Sequence, residues 1–202
     1  MMKIPDLDTL SSIQGVIFDL DGTLVDSRLD FTAIRGELAC PEGVGVLEYI
    51  QLLPESDRRA AEQIVLDHER RGAERAEWIP GARECLQFCA RRNLPTAILT
   101  RNAREVADLT MTRLGIQVDI LLAREDCPPK PAPDGLLQIA AAWSLSPKRL
   151  VYVGDFLYDL QAARRANMIS CFYDPALTDS YPDETDWHLA DFEQFTEMLA
   201  TA

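Results

Sequence analysis

The sequence predicts an α/β protein, a doubly wound parallel sheet with a small all-helical segment inserted after its first strand. Short apolar runs rich in β-branched residues alternate with stretches whose apolar residues recur three and four positions apart. The first pattern is typical of buried strands and the second of helices. Strands that alternate with helices form a parallel sheet covered on both faces, and one long interval without strand-like runs predicts the insertion.

Five segments have the strand pattern. The clearest of them, residues 13–20, is an apolar run that leads directly into the loop sequence DLDGT. The five predicted strands are residues 13–20, 95–100, 118–123, 149–155 and 168–173. The helices predicted between the later strands are residues 82–92, 103–114, 134–143 and 157–166.

Residues 28–79 interrupt this alternation with helical patterns alone. The helices predicted there are residues 30–39, 43–52 and 55–75. We therefore expect a core domain of residues 1–27 and 80–202 and a helical cap of residues 28–79. Ligands bind at the carboxyl end of an open parallel sheet, so an insertion after the first strand is placed to act as a lid.

The chain is acidic, which restricts its partners. Of its 202 residues, 20 are Lys or Arg and 33 are Asp or Glu, which gives a net charge of −13. Such a charge repels the phosphate backbones that supply most nucleic-acid affinity, and it repels anionic membrane surfaces. The longest apolar runs fall far short of the roughly 20 residues of a membrane-spanning helix. We expect no nucleic-acid partner, no membrane partner and a cytoplasmic location.

Polar side chains follow the predicted strands at the points where the strands end. Any one of them is most simply a turn residue or a helix cap, but the set combines two Asp pairs, a hydroxyl and a lysine at one edge of the sheet. The set is Asp19, Asp21, Thr100, Lys130, Asp155 and Asp159. This combination indicates the binding of a divalent cation together with a phosphoryl group.

Lys130 stands out because the chain uses 17 Arg and only three Lys. It lies in the proline-rich sequence CPPKPAPDG, which precedes a predicted helix. A compact ammonium suits a phosphate oxygen and a neighbouring carboxylate better than a planar guanidinium does. We expect Lys130 to contact both.

Four ordered motifs resemble those of the haloacid dehalogenase (HAD) superfamily. They are DLDGTL at residues 19–24, LT at 99–100, KPAPD at 130–134 and VGDFLYD at 153–159. The helical insertion between the first two motifs resembles the cap of the phosphoglycolate phosphatase-like subgroup, although it is short for that subgroup. The sequence Ile79-Pro80-Gly81 resembles the return of that subgroup's chain into the core.

The resemblance implies that Asp19 is a nucleophile, which forms an aspartyl-phosphate and divides one difficult displacement into two easier ones. Two unit charges near 4 Å repel by about 4 kcal/mol at an effective dielectric constant of 20, so a cation is needed between the carboxylate and the phosphate. Mg²⁺ would be held by the Asp19 carboxylate, the Asp21 backbone carbonyl and Asp155. Asp159 would orient these ligands or Lys130 from behind.

The resemblance also implies that Asp21 protonates the departing alkoxide and later takes a proton from water. The dehalogenases of the superfamily lack an acid at this position because a halide needs no proton. Thr100 and Lys130 would bind the phosphoryl oxygens.

Recognition of the rest of the substrate must come from the cap and from the loop after Thr100. Arg101 and Asn102 directly follow Thr100 and are candidates for substrate contact. Arg35 lies in the first cap helix and is a candidate to bind an anionic leaving group, although the simpler interpretation is an exposed helix charge with its aliphatic stem on apolar surface.

We therefore expect a Mg²⁺-dependent phosphatase, a monomer or small homo-oligomer, that acts on a small phosphorylated metabolite, either phosphoglycolate-like or a sugar phosphate. A phosphomutase would use the same core residues and remains an alternative. A phosphonate hydrolase of the Schiff-base type is disfavoured because the cap contains no lysine. A signalling receiver lacks both a cap and an acid at the position of Asp21. A binding protein without turnover is disfavoured because every motif residue is present.

Overall fold

The computed structural model describes residues 7–200, and its central feature is a six-stranded parallel sheet. The strands of the protein are β1 Gly15–Phe18, β2 Val25–Asp26, β3 Glu77–Trp78, β4 Thr96–Leu99, β5 Ile120–Leu122, β6 Leu150–Gly154, β7 Ile169–Tyr173 and β8 Trp187–Leu189. The strand order in the main sheet is β5-β4-β1-β6-β7-β8, and every neighbouring pair is parallel. Strands β2 and β3 form a separate antiparallel pair.

Helices cover both faces of the main sheet. They are α1 Leu7–Ser11, α2 Phe31–Leu38, α3 Val46–Leu52, α4 Glu55–Arg75, α5 Ala82–Arg91, α6 Arg104–Leu114, α7 Asp134–Trp143, α8 Leu157–Arg165 and α9 Phe192–Ala200. Helices α5, α6 and α9 contribute to the apolar cluster on one face, and α7 and α8 contribute to the cluster on the other. Within residues 7–200, no helix has both the length and the apolar character that crossing a membrane requires.

Strand β1 shows why these residues form a central strand. Val16 and Phe18 pack into the cluster on one face of the sheet, whereas Ile17 between them packs into the cluster on the other. Side chains alternate between the faces of a strand, so a strand covered on both faces must be apolar throughout. Burying each such side chain stabilises the fold by roughly 1.5–3 kcal/mol. The first polar side chain after this run is Asp19, which therefore lies where the strand ends.

The predicted fold class is confirmed, but the end of the sheet differs from the sequence prediction. The sequence indicated no strand after residue 173, yet β8 completes the sheet and α9 packs on it. Strand β8 is only three residues long, and His188 at its centre interrupts the apolar run. The buried His188 ring is paired with Asp174, with Nε2 at 3.1 Å from Oδ2. This long-range contact makes a polar residue compatible with a buried strand.

Helices α2, α3 and α4 lie between β2 and β3, where the sequence predicted the cap. They share a small apolar cluster of their own, built from Ile34, Ile50, Ala61 and Val65. Helix α4 also packs against α6 of the sheet layers. The division into a core domain and a cap domain remains a prediction, and residues 1–6 and 201–202 of the predicted core lie outside the described residues.

Candidate active site at the carboxyl edge of the sheet

The order of the central strands brings three sequence motifs together. Strand β1 lies between β4 and β6, so the loops after these strands are neighbours. The backbone N–H of Asp19 donates to the Val153 carbonyl at 2.9 Å, and the N–H of Thr100 donates to the Leu122 carbonyl at 3.0 Å. These bonds continue the ladder by one residue beyond the strands. They fix the backbone of Asp19 and Thr100 at the edge of the sheet.

Lys130 lies buried at the centre of this edge, with only 4% of its surface exposed. Its Nζ donates to Asp19 Oδ1 at 2.6 Å and to Asp159 Oδ1 at 2.5 Å. The Tyr152 hydroxyl oxygen lies 2.9 Å from Nζ, and the Leu99 carbonyl oxygen lies 3.2 Å from it. Burial alone would lower the pKa of Lys130, but the charges of Asp159 and Asp19 more than offset this effect and raise it. Lys130 is therefore a stable cation held between two carboxylates.

Tyr152 is a member of this site that the sequence did not indicate. It lies in the middle of β6 and is fully buried. Its hydroxyl lies 3.1 Å from the Leu99 carbonyl and 3.0 Å from Asp159 Oδ1, and both can accept its proton. A buried tyrosine hydroxyl needs such a partner. The only sequence signal was a single polar atom within an otherwise apolar strand.

Asp159 is held from two sides. Its Oδ2 accepts the backbone N–H of Phe156 at 3.1 Å, which caps the start of α8, while its Oδ1 faces Lys130. A Cβ atom at Gly154 would lie 2.3 Å from the Cβ of Asp159, so only glycine leaves room for this carboxylate. Because both oxygens of Asp159 already accept hydrogen bonds, its geometry suits the orienting role predicted for it.

Three carboxylates converge on one point of the edge. Asp19, Asp155 and Asp159 each offer an oxygen, and these oxygens lie within 4.8 Å of one another. A Cβ atom at Gly22 would lie 2.2 Å from Asp155 Oδ2, and Gly22 has a φ of +81°, which a residue with a side chain rarely adopts. Three carboxylates against the single charge of Lys130 leave an excess negative charge. A hard divalent cation such as Mg²⁺ fits this set of oxygen donors.

The pKa of Asp155 reflects that excess charge. Burial raises it to about 7, and the charge of Asp159 adds to the shift, while Lys130 and a hydrogen bond from Thr23 oppose it. The Thr23 hydroxyl donates to Asp155 Oδ1 at 3.4 Å. Burial likewise raises the pKa of Asp19 well above its usual range, although Lys130 acts against this. Without a metal ion, Asp155 therefore keeps its proton to a higher pH than an exposed carboxyl does.

Mg²⁺ affinity is expected to rise with pH up to about pH 7. A metal ion must displace the proton on Asp155, so the apparent affinity should increase by about tenfold for each pH unit below that pKa. In the metal-free protein, the free energy of unfolding should instead fall as pH rises. An acid with a raised pKa stabilises the fold at low pH, and this contribution is lost as pH rises through about 7. Calorimetric titration with Mg²⁺ at pH 5.5, 6.5 and 7.5, with melting in EDTA at the same pH values, measures both effects. An affinity that does not change with pH would contradict this assignment.

Asp21, Thr100 and Asn102 also lie together. The Asn102 side-chain amide donates to Asp21 Oδ2, and the Asn102 backbone N–H donates to Thr100 Oγ1 at 3.1 Å. Burial raises the pKa of Asp21, and hydrogen bonds with Ser27 and Asn102 partly offset the shift. A carboxyl with a raised pKa is easier to protonate, which is a requirement for a general acid.

Two ion pairs connect the helices of residues 28–79 to this edge. Arg101 Nη2 donates to Glu48 Oε1 of α3 at 2.5 Å, and its guanidinium lies 5.1 Å from the centre of the Tyr158 ring. Arg124 pairs with the buried Glu69 of α4, and its Nε donates to the Arg101 carbonyl at 2.7 Å. Neither Glu48 nor Glu69 was singled out from the sequence, because their partners are distant in the chain and charges on a helix usually face solvent.

Arg35 is not brought to the other predicted residues in any contact described for residues 7–200. Its guanidinium donates to the carbonyls of Pro41 at 2.8 Å and Val44 at 2.6 Å. These bonds hold the loop between α2 and α3. These contacts give Arg35 a structural role within the predicted cap, and its contact with substrate stays a prediction.

Two cavities flank the site. One of about 860 Å³ lies between the helices of residues 28–79 and the sheet edge, and Glu48, Ala103 and Arg124 contribute to its wall. The other, of about 680 Å³, is bounded by Gly22 and Asp155. Asp155 of the carboxylate cluster thus borders the second cavity, which a small molecule can enter.

Comparison with known proteins gives the family. Residues 13–167 match the model of the haloacid dehalogenase-like hydrolases. A haloacid dehalogenase-like hydrolase domain-containing protein of Arabidopsis thaliana is 31% identical over 174 residues, which cover 80% of this chain and 71% of that protein. The chain therefore belongs to the haloacid dehalogenase-like hydrolase family.

Further similarities agree with this assignment. A phosphoglycolate phosphatase of Nitrosococcus oceani is 27% identical over 233 residues, covering 99% of this chain and all of that protein. The solved structure of a hydrolase from Pseudomonas syringae covers 93% of this chain and 98% of its own, with a TM-score of 0.78 and 21% identity, which shows a shared fold. The family resemblance of the four motifs is confirmed, and the phosphatase among the relatives supports the expected enzyme class.

Proposed function

We propose that the protein is a Mg²⁺-dependent phosphatase that hydrolyses a small phosphorylated metabolite through an aspartyl-phosphate on Asp19. The observation that carries the proposal is the buried contact of Lys130 with Asp19 and Asp159 beside the third carboxylate, Asp155. This arrangement concentrates oxygen ligands and one fixed cation at a single point, as phosphoryl transfer requires.

In the first step, an Asp19 oxygen forms a bond to phosphorus while the bond from phosphorus to the ester oxygen breaks. Asp21 gives its proton to that departing oxygen, which leaves as an alcohol. In the second step, Asp21 takes a proton from water, whose oxygen attacks the phosphorus of the aspartyl-phosphate. Asp19 is then restored and inorganic phosphate is released.

The other side chains of the edge hold charge and geometry. Asp19 and Asp155, with the Asp21 backbone carbonyl, would hold Mg²⁺, whose charge offsets the repulsion between a carboxylate and a phosphoryl group. Lys130 and Thr100 bind phosphoryl oxygens. Asn102 keeps the Asp21 carboxyl in place through its side-chain amide.

Release of inorganic phosphate from p-nitrophenyl phosphate tests the proposal directly. Turnover should require Mg²⁺, stop on addition of EDTA and return when Mg²⁺ is restored. Release of inorganic phosphate, rather than its appearance on a second sugar, separates a phosphatase from a phosphomutase. Absence of turnover at any Mg²⁺ concentration would refute the proposal and favour a binding protein.

Replacement of Asp21 by Asn should slow the reaction most for substrates with poor leaving groups. A nitrophenolate leaves without full protonation and an alkoxide does not, so alkyl phosphates should lose about 10²–10⁴-fold in kcat and p-nitrophenyl phosphate much less. The new amide oxygen can still accept from Asn102, so the local structure should persist. Steady-state rates on matched aryl and alkyl phosphates measure the difference. Equal losses on both would contradict the role of general acid.

The partner that we propose is thus a small phosphate ester. The absence of a nucleic-acid partner, the cytoplasmic location and the monomeric or small homo-oligomeric state remain predictions from the sequence. The acidic net charge of −13 supports the first of them.

A further inference from the structure

We propose that Glu48 determines substrate specificity: by neutralising Arg101, it favours leaving groups that carry uncharged hydroxyls and disfavours those that carry a carboxylate. This inference rests on the proposed phosphatase function. It narrows the substrate from phosphorylated metabolites in general to sugar or polyol phosphates.

The position of the pair supports a contact with the leaving group. Arg101 directly precedes Asn102, whose amide holds Asp21, the acid proposed to protonate the departing oxygen. Glu48 reaches Arg101 from helix α3, and Glu48 and Ala103 both line the larger of the two cavities. A leaving group that departs past Asp21 towards the helices of residues 28–79 meets this pair.

The charges around the pair explain the preference. Among the described residues 100–104 and 123–133, which follow β4 and β5, every Arg and Lys is already paired with a carboxylate. These pairs are Arg101 with Glu48, Arg104 with Asp126, Arg124 with Glu69, and Lys130 with Asp19 and Asp159. A carboxylate on the leaving group would have to displace Glu48 from its contact of 2.5 Å with Arg101, and it would enter beside the carboxylates of Glu48 and Glu69. Like charges at short range repel, so such a substrate is disfavoured.

The unpaired atoms of the same two side chains point to a hydroxyl. Arg101 Nε and Glu48 Oε2 are buried and have no hydrogen-bond partner among the residues that the structure describes. A buried unpaired donor and a buried unpaired acceptor both cost free energy, which a suitable ligand group can recover. An alcohol can accept from Nε–H and donate to Oε2, whereas a carboxylate can only accept. The pair is therefore complementary to a hydroxyl group.

Two matched pairs of substrates test the inference. Glycerol 3-phosphate is compared with 3-phosphoglycerate, and sorbitol 6-phosphate with 6-phosphogluconate, since the members of each pair differ in whether a hydroxymethyl or a carboxylate is present. The native protein should hydrolyse the alcohol of each pair with a kcat/KM at least about tenfold higher, the scale of one unfavourable charge contact. Hydrolysis of p-nitrophenyl phosphate with Mg²⁺ is measured in parallel.

Glu48→Gln keeps the size and one acceptor oxygen but removes the charge. It should move the ratio of the two kcat/KM values towards the carboxylate substrate by about tenfold, because Arg101 is then free to pair with that group. Glu48→Ala should move the ratio in the same direction, which guards against an effect particular to the amide. Glu74→Gln, an exposed substitution on α4 with the same change in charge, should leave the ratio unaltered.

The outcomes distinguish a failure of this inference from a failure of the proposed phosphatase function. Without turnover of p-nitrophenyl phosphate, the phosphatase proposal fails and this inference fails with it. With that turnover present, the inference alone is overturned if the native protein shows no preference within the pairs, prefers the carboxylates or leaves both alcohols intact. It is also overturned if the Glu48 variants keep the native ratio.

Discussion

The Asp19→Asn variant is expected to lose phosphatase turnover by several orders of magnitude while it keeps its fold. An amide has nearly the same volume as a carboxylate but cannot act as the nucleophile, and without the nucleophile only binding and charge stabilisation remain. Release of inorganic phosphate, measured with p-nitrophenyl phosphate at saturating Mg²⁺, gives the loss directly.

The fold should survive because the charge at position 19 is not needed for stability. Burial and the charges of Asp155 and Asp159 all disfavour ionised Asp19, and Lys130 keeps its contact with Asp159 after the substitution. Melting of the metal-free variant should therefore occur at or above the native temperature. The matched control is Asp183→Asn, an exposed position, which should leave both turnover and melting unchanged. Native-level turnover by Asp19→Asn would show that another residue is the nucleophile.

The central strands were predictable because each has a simple local cause. Strands covered on both faces must be apolar, so their ends are marked in the sequence by the first polar residue, as at Asp19 and Thr100. Parallel strands place their carboxyl ends at one edge, so the sequence alone is enough to expect residues such as Lys130 and Asp155 near Asp19. The contacts of Lys130 with Asp19 agree with that expectation.

The features that were missed depend on contacts between distant parts of the chain. His188 in β8 is buried only because Asp174 pairs with it, and Tyr152 fits inside β6 only because the hydroxyl meets Leu99 and Asp159. Glu69 occurs in a run of charged residues that resembles an exposed helix face, and its pairing with Arg124 depends on how α4 packs beside the loop after β5. No local pattern in the sequence contains that information.

The Lys130→Met variant is expected to be strongly destabilised as well as inactive. The substitution keeps a long unbranched side chain but removes the cation that contacts Asp19 and Asp159. Breaking a buried ion pair by removing one partner costs about 3–5 kcal/mol, because the remaining charge is left buried and uncompensated. Urea unfolding in EDTA at pH 7.5 should show this loss, whereas Lys148→Met, at an exposed position, should show almost none.

Two further measurements separate lost charge compensation from lost packing in Lys130→Met. Adding Asp159→Asn should recover part of the stability, because one of the two uncompensated charges is then absent. The loss of stability should also be smaller at pH 5 than at pH 7.5. Lys130 lowers the pKa of Asp19 and of Asp155, so in its absence both acids keep their protons to a higher pH. At pH 5 they are then neutral and need no compensating cation. If the loss were the same at both pH values and Asp159→Asn recovered nothing, the lysine would act through its packed aliphatic chain, and the charge balance proposed for the site would be wrong.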